Sequence, residues 1–536
     1  MELHFATLFE AVADAFADDD ALVHDEAHLS WTAYEDAAAR FAALLAEHGV
    51  GHAQKVALCL YNCSEYLIAQ FGVLKQRGVP INVNYRYLDD ELAYLLDNAD
   101  AEVLVYNASL ADRVERVRAR LPKLRVLVEV DDIGASELAC ATAISWADVQ
   151  RTYQPARRIE RSAEDLYMLY TGGTTGMPKG VMFRSGDFVT RLFTGYAYRG
   201  WTPPTDGDDL LRKALEHRAR GDRRVAIPAC PLMHGTGRWL GAFYAHLAGG
   251  SCVTLPGRRF DADLVWSTAE RERADAVVIV GDAFGRPMLD ALDRAVTNGR
   301  PYKLEDMRII MSSGVMWSAE VQEGLLRHLD VRLVDSMGST EAGMARRILT
   351  RGTNVETAVF ELIPTTKVIT DDGREVVPGS GEIGRLAAGA VVPIGYYKDE
   401  EKTAATFPMI DGRRYVLAGD YATVTEEGRV VLLGRGSNCI NTAGEKVFPE
   451  EVEEAIKRHP SVVDCLVVGV PDPSFGERIA AAVSVRDGLT AAALLEELRT
   501  HISSYKVPRI VRIVDVVQRA ANGKADYNWA KDVLST

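Results

Sequence analysis

A glycine- and threonine-rich loop, residues 171–180, contains the densest group of residues suited to chemistry in this chain. Four glycines within residues 170–180 allow tight turns and present backbone N–H groups to an anion. Three threonine hydroxyls add donors, and Lys179 adds a positive charge. This chemistry suits a polyphosphate. The loop is neither a Walker A motif, because Lys179 lies between Pro178 and Gly180, nor a dinucleotide fingerprint.

Alternating strand and helix patterns surround this loop and must position it. Strand patterns occupy residues 56–61, 79–83, 102–106 and 166–170, and helix patterns occupy residues 64–76 and 89–98. Gly78 is expected just beyond a helix end. Strand patterns recur at residues 276–280, 308–311 and 332–335. The alternation predicts an α/β fold with parallel-rich sheets and helices on both faces.

The pattern changes twice towards the C-terminus. From about residue 360, short β-type segments such as residues 367–370, 415–418 and 429–433 predict a β-rich subdomain. The last hundred residues, with a helix expected to open at Pro449 and strands at 462–470 and 510–517, predict a small α+β unit. The expected organisation is an N-terminal domain of residues 1–433, a hinge at 434–437 and a mobile C-terminal domain of residues 438–536.

The composition restricts the classes of function. A net charge of −15 argues against a nucleic-acid partner, and 47% hydrophobic with 26% charged residues is typical of a soluble globular protein. The seven cysteines are scattered without a zinc-ligand pattern, which favours reduced thiols. The N-terminus lacks the features of a secretory signal, and no apolar run is long enough for a stable membrane span. We therefore expect a cytoplasmic protein.

Six motifs in order along the chain carry a resemblance to a known family. They are the loop 170–180, the segment 231–237 (PLMHGTG), residues 337–341 (MGSTE), residues 418–420 (AGD), Gly434-Arg435 with residues 443–447 (AGEKV), and Asn522-Gly523-Lys524. The chain resembles the adenylate-forming superfamily, which comprises acyl-CoA synthetases, carrier-protein adenylation domains and luciferases. The motifs extend over nearly the whole chain.

The resemblance implies roles for individual residues. It places His234, Thr340, Glu341 and Lys524 in catalysis, with Glu341 as the ligand of Mg²⁺. It implies contacts to ATP or AMP from Thr171, Gly172, Gly173, Thr174, Thr175, Gly176, Lys179, Ser313, Gly314, Val315, Asp335, Ser336, Met337, Gly338, Ser339, Asp420 and Arg435. The implied acyl pocket comprises His234, Gly235, Trp239, Gly281, Gly314, Gly338 and Gly343, and the implied CoA path comprises Ala443, Gly444, Glu445 and Lys446.

Each of these residue types also has an ordinary structural explanation. A glutamate like Glu341 often lies at a helix start, Gly-Asp as at Asp420 is common in turns, and a lysine after Asn-Gly is usually solvated. His234 is either a packed core histidine or a group that faces the substrate. The glycines serve turns or leave space for a bulky acyl group, and the sequence does not separate the two.

The implied reaction is an ATP- and Mg²⁺-dependent acid–CoA ligation. The carboxylate attacks the α-phosphorus of ATP, Lys524 stabilises the developing charge, and CoA then takes the acyl group from acyl-AMP. Substitution of Lys524 is expected to affect the first step far more than the second. The partners are a carboxylic acid, ATP and CoA, and a homodimer stays open.

Three positions depart from the family pattern, and two strings narrow the subfamily. Met337 replaces an aromatic ring on adenine, Ser437 replaces the usual hinge Asp or Lys, and Ala443 replaces a glycine. Residues 312–318 and 434–442 resemble those of bacterial fatty-acid and steroid side-chain acid–CoA ligases. Fatty acids or bulky steroid or aryl acids are the expected substrates.

Four other functions are weighed against this one. An acyl-AMP ligase that loads a carrier protein shares the motifs, and so does a luciferase. An amino-acid adenylation domain would place an Asp early in the segment 231–237, which has none. A catalytically inactive acyl or nucleotide sensor would lack Lys524, Glu341 or the phosphate loop, and all three are present.

Overall fold

The computed structural model describes residues 1–134, 138–171, 177–222, 224–315, 317–353, 356, 358–442, 445–472, 476–486, 488–502, 504–520 and 523–535. Its α-helices are α1 (Phe5–Ala15), α2 (Trp31–Glu47), α3 (Ser64–Lys75), α4 (Asp89–Asn98), α5 (Ala111–Arg118), α6 (Trp146–Thr152), α7 (Ser185–Leu192), α8 (Gly195–Tyr198), α9 (Gly207–Ala219), α10 (Tyr244–His246), α11 (Ala262–Glu272), α12 (Asp282–Thr297), α13 (Ala319–His328), α14 (Glu400–Thr406), α15 (Pro449–Lys457), α16 (Ala491–His501) and α17 (Tyr527–Ser535). Short 3₁₀ turns cover Ala108–Leu110, Gly436–Asn438 and Ser504–Lys506, and a π-helix covers Thr236–Phe243.

The strands begin and end as follows. They are β1 (Asp20–His24), β2 (Ala27–Ser30), β3 (Lys55–Cys59), β4 (Val79–Asn82), β5 (Ala101–Asn107), β6 (Val126–Val130), β7 (Ile144–Ser145), β8 (Leu166–Thr171), β9 (Lys179–Arg184), β10 (Val225–Pro228), β11 (Ser251–Thr254), β12 (Ala276–Ile279), β13 (Ile309–Ser313), β14 (Arg332–Gly338), β15 (Gly343–Leu349), β16 (Val359–Leu362), β17 (Thr366–Ile369), β18 (Gly384–Ala388), β19 (Gly395–Tyr396), β20 (Met409–Ile410), β21 (Arg413–Arg414), β22 (Asp420–Val424), β23 (Val430–Arg435), β24 (Ile440–Thr442), β25 (Glu445–Val447), β26 (Val462–Asp472), β27 (Gly476–Val485) and β28 (Ile510–Val514).

Two sheets of the N-terminal part confirm the predicted α/β fold with parallel-rich sheets. One runs β4-β3-β5-β6-β7, and all of its pairs are parallel. In the other, β1, β11, β10, β12, β13 and β14 pair in parallel in that order. Buried aliphatic runs such as β12 and β3, with almost no accessible side chains, are typical of strands covered by helices on both faces.

The β-rich region predicted from about residue 360 exists, but it continues the larger sheet. Strand β15 pairs antiparallel with β14, and the order then passes through β16, β23, β22 and β18 to β17. Residues 415–418, predicted as a strand, form only one bridge, between Val416 and Ala388. The following Gly419, with φ of +92°, interrupts the extended conformation before β22 begins.

Most helix bounds and helix-start residues that were predicted from the sequence in this region are confirmed. Helix α4 has the predicted bounds, and α15 begins at Pro449 with two glutamates in its first turn. After α3, however, the left-handed residue is Arg77, with φ of +60°, and Gly78 comes one residue later. Gly78 still closes the helix end, because its N–H donates to the Val73 carbonyl group at 2.9 Å, and a Cβ atom there would lie a tight 3.0 Å from the Val73 side chain.

The C-terminal residues form their own sheet, in the order β25-β24-β27-β26, with β28 alongside β27. Helix α15 and β26 share one hydrophobic cluster, and α17 packs on the same strand in a second hydrophobic cluster. Among the described residues, no helix combines the length and the hydropathy that crossing a bilayer requires.

Candidate active site

The carboxyl ends of neighbouring parallel strands collect four of the predicted site segments. Strand β10 leads to the segment 231–237, β12 to Gly281, β13 to Ser313 and Gly314, and β14 to residues 336–341. The register pairs Pro228 with Val278, Ile279 with Ser312, and Ser313 with Ser336. Because these strands are parallel, their carboxyl ends meet at one edge, where open α/β sheets bind ligands.

The phosphate loop connects two antiparallel strands, with Thr171 opposite Lys179 in the β8–β9 pair. Gly172, Gly173, Thr174, Thr175 and Gly176 lie outside the described residues. The Nζ atom of Lys179 is 2.8 Å from the Asp399 carboxylate and 5.7 Å from the centre of the Tyr396 ring. Lys179 is thus held at the loop's end by an ion pair whose two side chains are 36% and 31% exposed.

Glu341, the predicted metal ligand, lies beside this end of the loop. Its Oε1 atom accepts a hydrogen bond of 2.7 Å from the Tyr396 hydroxyl, and its carboxylate is buried. Strand β19 pairs Tyr396 with Val181 of β9, so Tyr396 links Glu341 to the strand that begins at Lys179. The structure therefore brings together two motifs that are 162 positions apart (341 − 179) in the sequence.

Arg191 supports the backbone around Thr340 and Glu341. Its Nη1 atom donates to the carbonyl oxygens of Thr340 and Glu341, at 3.2 and 3.3 Å. The guanidinium lies 5.4 Å from the centre of the Trp239 ring. Burial lowers the pKa of Arg191, and its contacts to two carbonyl groups and an aromatic face compensate for the lost water.

Asn82, at the end of β4, connects the phosphate loop to the predicted acyl segment. Its side-chain Oδ1 accepts from the Tyr170 N–H at 2.7 Å, and its Nδ2 donates to the Tyr170 and Met233 carbonyl groups at 2.8 and 2.9 Å. Strand β8 is an edge strand, and this amide satisfies its open side as a neighbouring strand would. Asn82 thereby fixes the entrance of the loop relative to His234.

The environment of His234 includes the C-terminal catalytic motif. Burial and, to a smaller extent, the positive charges of Lys524, Arg238 and Arg86 together lower the pKa of His234 to about 3. The imidazole is therefore neutral at physiological pH. A neutral ring can donate its one N–H to a substrate carboxylate without adding charge to the site.

The loop that contains Lys524 is docked on the edge of the parallel strands. A Cβ atom on Gly523 would lie 3.3 Å from the Val280 carbonyl oxygen and 3.4 Å from both Ala283 and Phe284. Gly523 has φ of +74°, and the Ala520 N–H donates to the Lys524 carbonyl group at 2.8 Å. The positive φ favours glycine at position 523, and the close contacts leave little space for a side chain. Asn522 lies outside the described residues.

The nucleotide-binding residues predicted on and just after β14 have different surroundings and different degrees of burial. The Asp335 side chain is buried against the Arg347 guanidinium, with 3.0 Å between Oδ2 and Nη2, and Ser336 is partly exposed. Met337 is buried, and the Ser339 N–H donates to the Ala342 carbonyl group at 2.8 Å.

The glycines assigned to the acyl pocket have different surroundings. At Gly338 a Cβ atom would lie 2.6 Å from the Ala342 carbonyl oxygen, so this glycine permits the tight turn before β15. A Cβ atom on Gly235 would lie 2.7 Å from the Trp239 ring, so this glycine lets the ring pack against the backbone. A Cβ atom on Gly343 would make an ordinary contact with Ile363 at 3.4 Å. Gly314, with φ of +93°, has no atom within 4 Å of its Cβ position. Gly281 has φ of +55° and precedes α12, and its N–H donates to the Ser312 hydroxyl at 2.9 Å.

The predicted ribose and hinge residues lie in adjacent strands. Asp420, the first residue of β22, is opposite Arg435, the last residue of β23. Val315 lies just beyond β13 and is partly buried. Ala443 and Gly444 lie outside the described residues, as do the side chains of Arg435, Glu445 and Lys446.

A basic cleft of about 250 Å³ lies beside the segment 231–237. It is lined by Arg86, Arg258 and Arg259, by the aromatic residues Tyr61, Tyr85, Phe260 and Phe284, and by Cys230 and Pro231 among others. The Arg258 guanidinium lies 4.7 Å from the centre of the Tyr61 ring and donates to Asp132 at 2.6 Å. Positive side chains beside flat rings suit a nucleotide with several phosphates.

Sequence reasoning missed Asn82, Arg191, Tyr396, Asp399 and the cleft. Their signals are weak, since an asparagine at a strand end and a tyrosine in a short Gly-Tyr-Tyr string occur widely. Their importance comes from partners far away in the sequence.

The residues around Glu341 fit a magnesium–nucleotide complex rather than a complete protein cage. No group of three or more His, Cys, Asp or Glu side chains arranged for a metal occurs in the described part of the chain. Mg²⁺ usually takes one or two carboxylates and completes its octahedron with phosphate oxygens and water. One buried carboxylate next to a phosphate loop fits this pattern.

The chain is similar to curated proteins along nearly its whole length. A medium/long-chain-fatty-acid–CoA/3-oxocholest-4-en-26-oate–CoA ligase of Mycolicibacterium smegmatis is 39% identical over 542 residues, which cover 99% of this chain and 97% of that protein. A 3-oxocholest-4-en-26-oate–CoA ligase of Rhodococcus rhodochrous is also 39% identical over 542 residues, covering 99% of this chain and 96% of that protein.

Solved structures share the fold at lower identity. The anthranilate CoA ligase AuaEII in complex with anthranoyl-AMP has a TM-score of 0.83 at 20% identity, covering 100% of this chain and 98% of its own. ATP-bound MatB from Rhodopseudomonas palustris has a TM-score of 0.81 at 24% identity, covering 99% of both chains. A family model described as AMP-binding enzyme matches residues 9–397, and one described as AMP-binding enzyme C-terminal domain matches residues 451–524. The chain therefore belongs to the AMP-binding enzyme family.

Proposed function

We propose that this enzyme is an ATP-dependent acid–CoA ligase that forms acyl-AMP and then acyl-CoA. The observation that carries the proposal is the convergence of three motifs on one edge of the sheet. Glu341 is bonded to Tyr396 beside Lys179, and the Gly523-Lys524 loop is docked where β12 ends. This arrangement supplies charge at both ends of a bound triphosphate.

ATP is proposed to bind with its phosphates at the loop 171–180 and Lys179, and with its ribose at Asp420 and Arg435. The nucleotide contacts of Ser313, Gly314, Val315 and residues 335–339 remain part of this proposal. Glu341 would hold Mg²⁺, which neutralises phosphate charge when it is bound. Tyr396 orients the Glu341 carboxylate, and Arg191 fixes the backbone on which it stands.

In the first half-reaction a carboxylate oxygen of the acid attacks the α-phosphorus of ATP, and pyrophosphate leaves with the electron pair of the broken P–O bond. Lys524 lies close enough to lower the pKa of His234, so its cation can balance the charge that develops between carboxylate and α-phosphate. His234, which stays neutral, can orient the carboxylate.

In the second half-reaction the CoA sulfur attacks the acyl carbonyl carbon and AMP leaves. The basic cleft of Arg86, Arg258 and Arg259 supports binding of the CoA nucleotide, and residues 443–446 would line the path of its thiol. We propose the hinge at residues 434–437, about which residues 438–536 rotate between the two steps.

The acid is proposed to be a fatty acid or a steroid side-chain acid, from the names of the relatives that are 39% identical. Loading of a carrier protein is the second candidate. The basic cleft favours CoA over it, because a carrier protein presents no nucleotide to the three arginines.

A panel of carboxylic acids with ATP and Mg²⁺, with and without CoA, tests the proposal. Acyl-CoA and AMP are expected only when CoA is present, and pyrophosphate exchange is expected in its absence. Exchange without any CoA product would favour carrier loading, and no exchange with any acid would refute the enzyme assignment. Arg258→Ala should raise the KM for CoA several-fold without changing pyrophosphate exchange, with the exposed Arg300→Ala as the matched control.

A further inference from the structure

Arg519 connects the loop that contains Lys524 to the sheet of the C-terminal residues. Its Nε and Nη2 atoms donate to the two carboxylate oxygens of Asp464, on β26, at 2.6 and 2.7 Å. Its Nη1 atom donates to the Gly523 carbonyl group at 3.2 Å. The guanidinium thus holds the residue directly before Lys524 against a strand of this sheet.

Backbone bonds close the same loop on itself. Arg519 and Ala525 form an antiparallel bridge. The Ala520 N–H donates to the Lys524 carbonyl group at 2.8 Å, and the Gly523 N–H donates to the Ala520 carbonyl group at 2.9 Å. The loop therefore moves as a unit with the Arg519 backbone, and the Arg519 side chain sets where that unit lies relative to β26.

Asp464 fixes the direction of the Arg519 side chain and is itself held by a second cation. The Lys457 Nζ atom, on α15, lies 3.1 Å from its Oδ1 atom. Burial alone would raise the pKa of Asp464, but Lys457 and Arg519 outweigh that effect and hold this pKa well below its usual range. The carboxylate is therefore ionised at physiological pH. A two-point bond between a guanidinium and a carboxylate sets orientation as well as distance.

Lys457 and Gly523 both lie close to the first turn of α12. Burial lowers the pKa of Lys457, but the negative charges around it, Asp464 and Asp282 among them, together raise it above its usual value. Asp282 is the first residue of α12, and a Cβ atom on Gly523 would lie 3.4 Å from Phe284 in the same turn. The ion pair of Asp464 thus lies between two contacts to the turn that follows β12.

We propose that Arg519, oriented by Asp464, is a positioning residue that sets the Lys524 ammonium for the adenylation half-reaction. This inference rests on the proposed ligase function. The bonds of Arg519 to Asp464 and Gly523 lie within the C-terminal residues, so rotation about the proposed hinge does not break them. They act on catalysis only in the docked arrangement, in which Lys524 lies near His234. Loss of Arg519 therefore slows the first half-reaction and spares the second.

The test measures the two half-reactions separately in Arg519→Met and Arg519→Lys. Arg519→Met should slow pyrophosphate exchange at least tenfold, through kcat rather than through the KM for ATP or the acid, because the contacts of the bound substrates remain. Acyl transfer from preformed acyl-AMP to CoA should stay within about twofold of the wild-type rate. Arg519→Lys keeps the charge and loses the two-point bond, so it should recover part of the loss.

Lys457→Met is the matched control, because Lys457 also pairs with Asp464 but belongs to α15 and not to the loop. Its pyrophosphate exchange should stay within about twofold of wild type. Asp464→Asn should reproduce the selective loss. The double variant Asp464→Asn/Arg519→Met should be no slower than Arg519→Met alone, because residues that act as a unit are not additive. Thermal melting checks that each variant is folded.

Equal slowing of both half-reactions in Arg519→Met, a wild-type exchange rate in that variant, or an equal loss in Lys457→Met would overturn the inference. Hydrogen exchange measured by mass spectrometry separates it from the ligase function. The peptide that contains Ala520 and Gly523 should lose protection in Arg519→Met and keep it in Lys457→Met, whether or not the wild type exchanges pyrophosphate. Unchanged protection would refute the anchoring by Arg519, whereas a wild type that adenylates no acid would refute the ligase function.

Discussion

Replacing Asn82 by alanine should damage both the stability and the first half-reaction. The amide makes three hydrogen bonds, of 2.7, 2.8 and 2.9 Å, to the backbone at Tyr170 and Met233. Alanine would leave one N–H and two carbonyl groups without these partners in a buried environment. The phosphate loop and the His234 segment would also lose the connection that sets their relative position.

The size of the effect follows from these three bonds. Each net hydrogen bond contributes about 1 kcal/mol, and leaving a buried partner unsatisfied costs about 1–3 kcal/mol. Partial compensation by water lowers the sum, so we expect about 3–5 kcal/mol. In a chain of this size that corresponds to a Tm lower by roughly 3–5 °C. Pyrophosphate exchange should fall at least tenfold, because the phosphates would be misplaced relative to the acid.

Hydrogen exchange measured by mass spectrometry locates the effect. The amide of Tyr170 should lose its protection in Asn82→Ala, while peptides from β12 and β13 should change little. Asn82→Asp keeps the acceptor for the Tyr170 N–H but sets a carboxylate against two carbonyl oxygens, so it should be at least as damaging. The exposed Asn298→Ala is the matched control. Unchanged exchange at Tyr170 with a Tm within 1 °C of wild type would refute this reasoning.

Three further predictions use the same assays. Tyr396→Phe removes the hydrogen bond to Glu341 and should raise the Mg²⁺ concentration needed for half-maximal exchange by about three- to tenfold, whereas an unchanged requirement would exclude the orienting role. Lys524→Ala should slow exchange by about 10²–10³-fold and slow acyl transfer from preformed acyl-AMP far less, and equal slowing would contradict its assignment to the first step. Burial raises the pKa of Asp335 to about 7, against the charge of Arg347, so the folded state favours the protonated carboxyl and the resulting stability is lost as pH rises through about 7. Asp335→Asn should therefore flatten the dependence of Tm on pH between 5.5 and 8, and a parallel profile in both proteins would disprove the shift.

Local patterns in the sequence predicted most of the regular elements near the site. The run at residues 276–280 became β12, and Pro449 with its following glutamates begins α15, because burial on both faces and helix-start chemistry are local properties. The prediction of a strand at residues 415–418 was wrong, because the turn at Gly419 interrupts the extended chain directly after them. Gly78 lies just beyond the end of α3 as predicted, but the left-handed conformation belongs to Arg77, which the local sequence does not indicate.

The chemistry of the site was predictable only where residues cluster in sequence. Lys179 and Glu341 each belong to a recognisable string, but nothing in either string specifies Tyr396, which connects them. Asn82 satisfies a strand edge formed 88 residues later, and its partners become apparent only when that strand is paired. Tertiary contacts of this kind have no periodic signal.

Phe284 links the docked C-terminal loop to the second half of the proposed reaction. Its ring lies 3.4 Å from the Cβ position of Gly523, and the same side chain lines the basic cleft and packs on Phe260 with ring centres 4.8 Å apart. The docked loop keeps Lys524 near His234, and Gly523 of the same loop contacts a side chain that also lines the cleft. Rotation of the C-terminal residues about the proposed hinge would separate Gly523 from Phe284 and Lys524 from His234 in one movement. The cation proposed for adenylation and the cleft proposed for CoA would thus be coupled through the contacts of one aromatic ring.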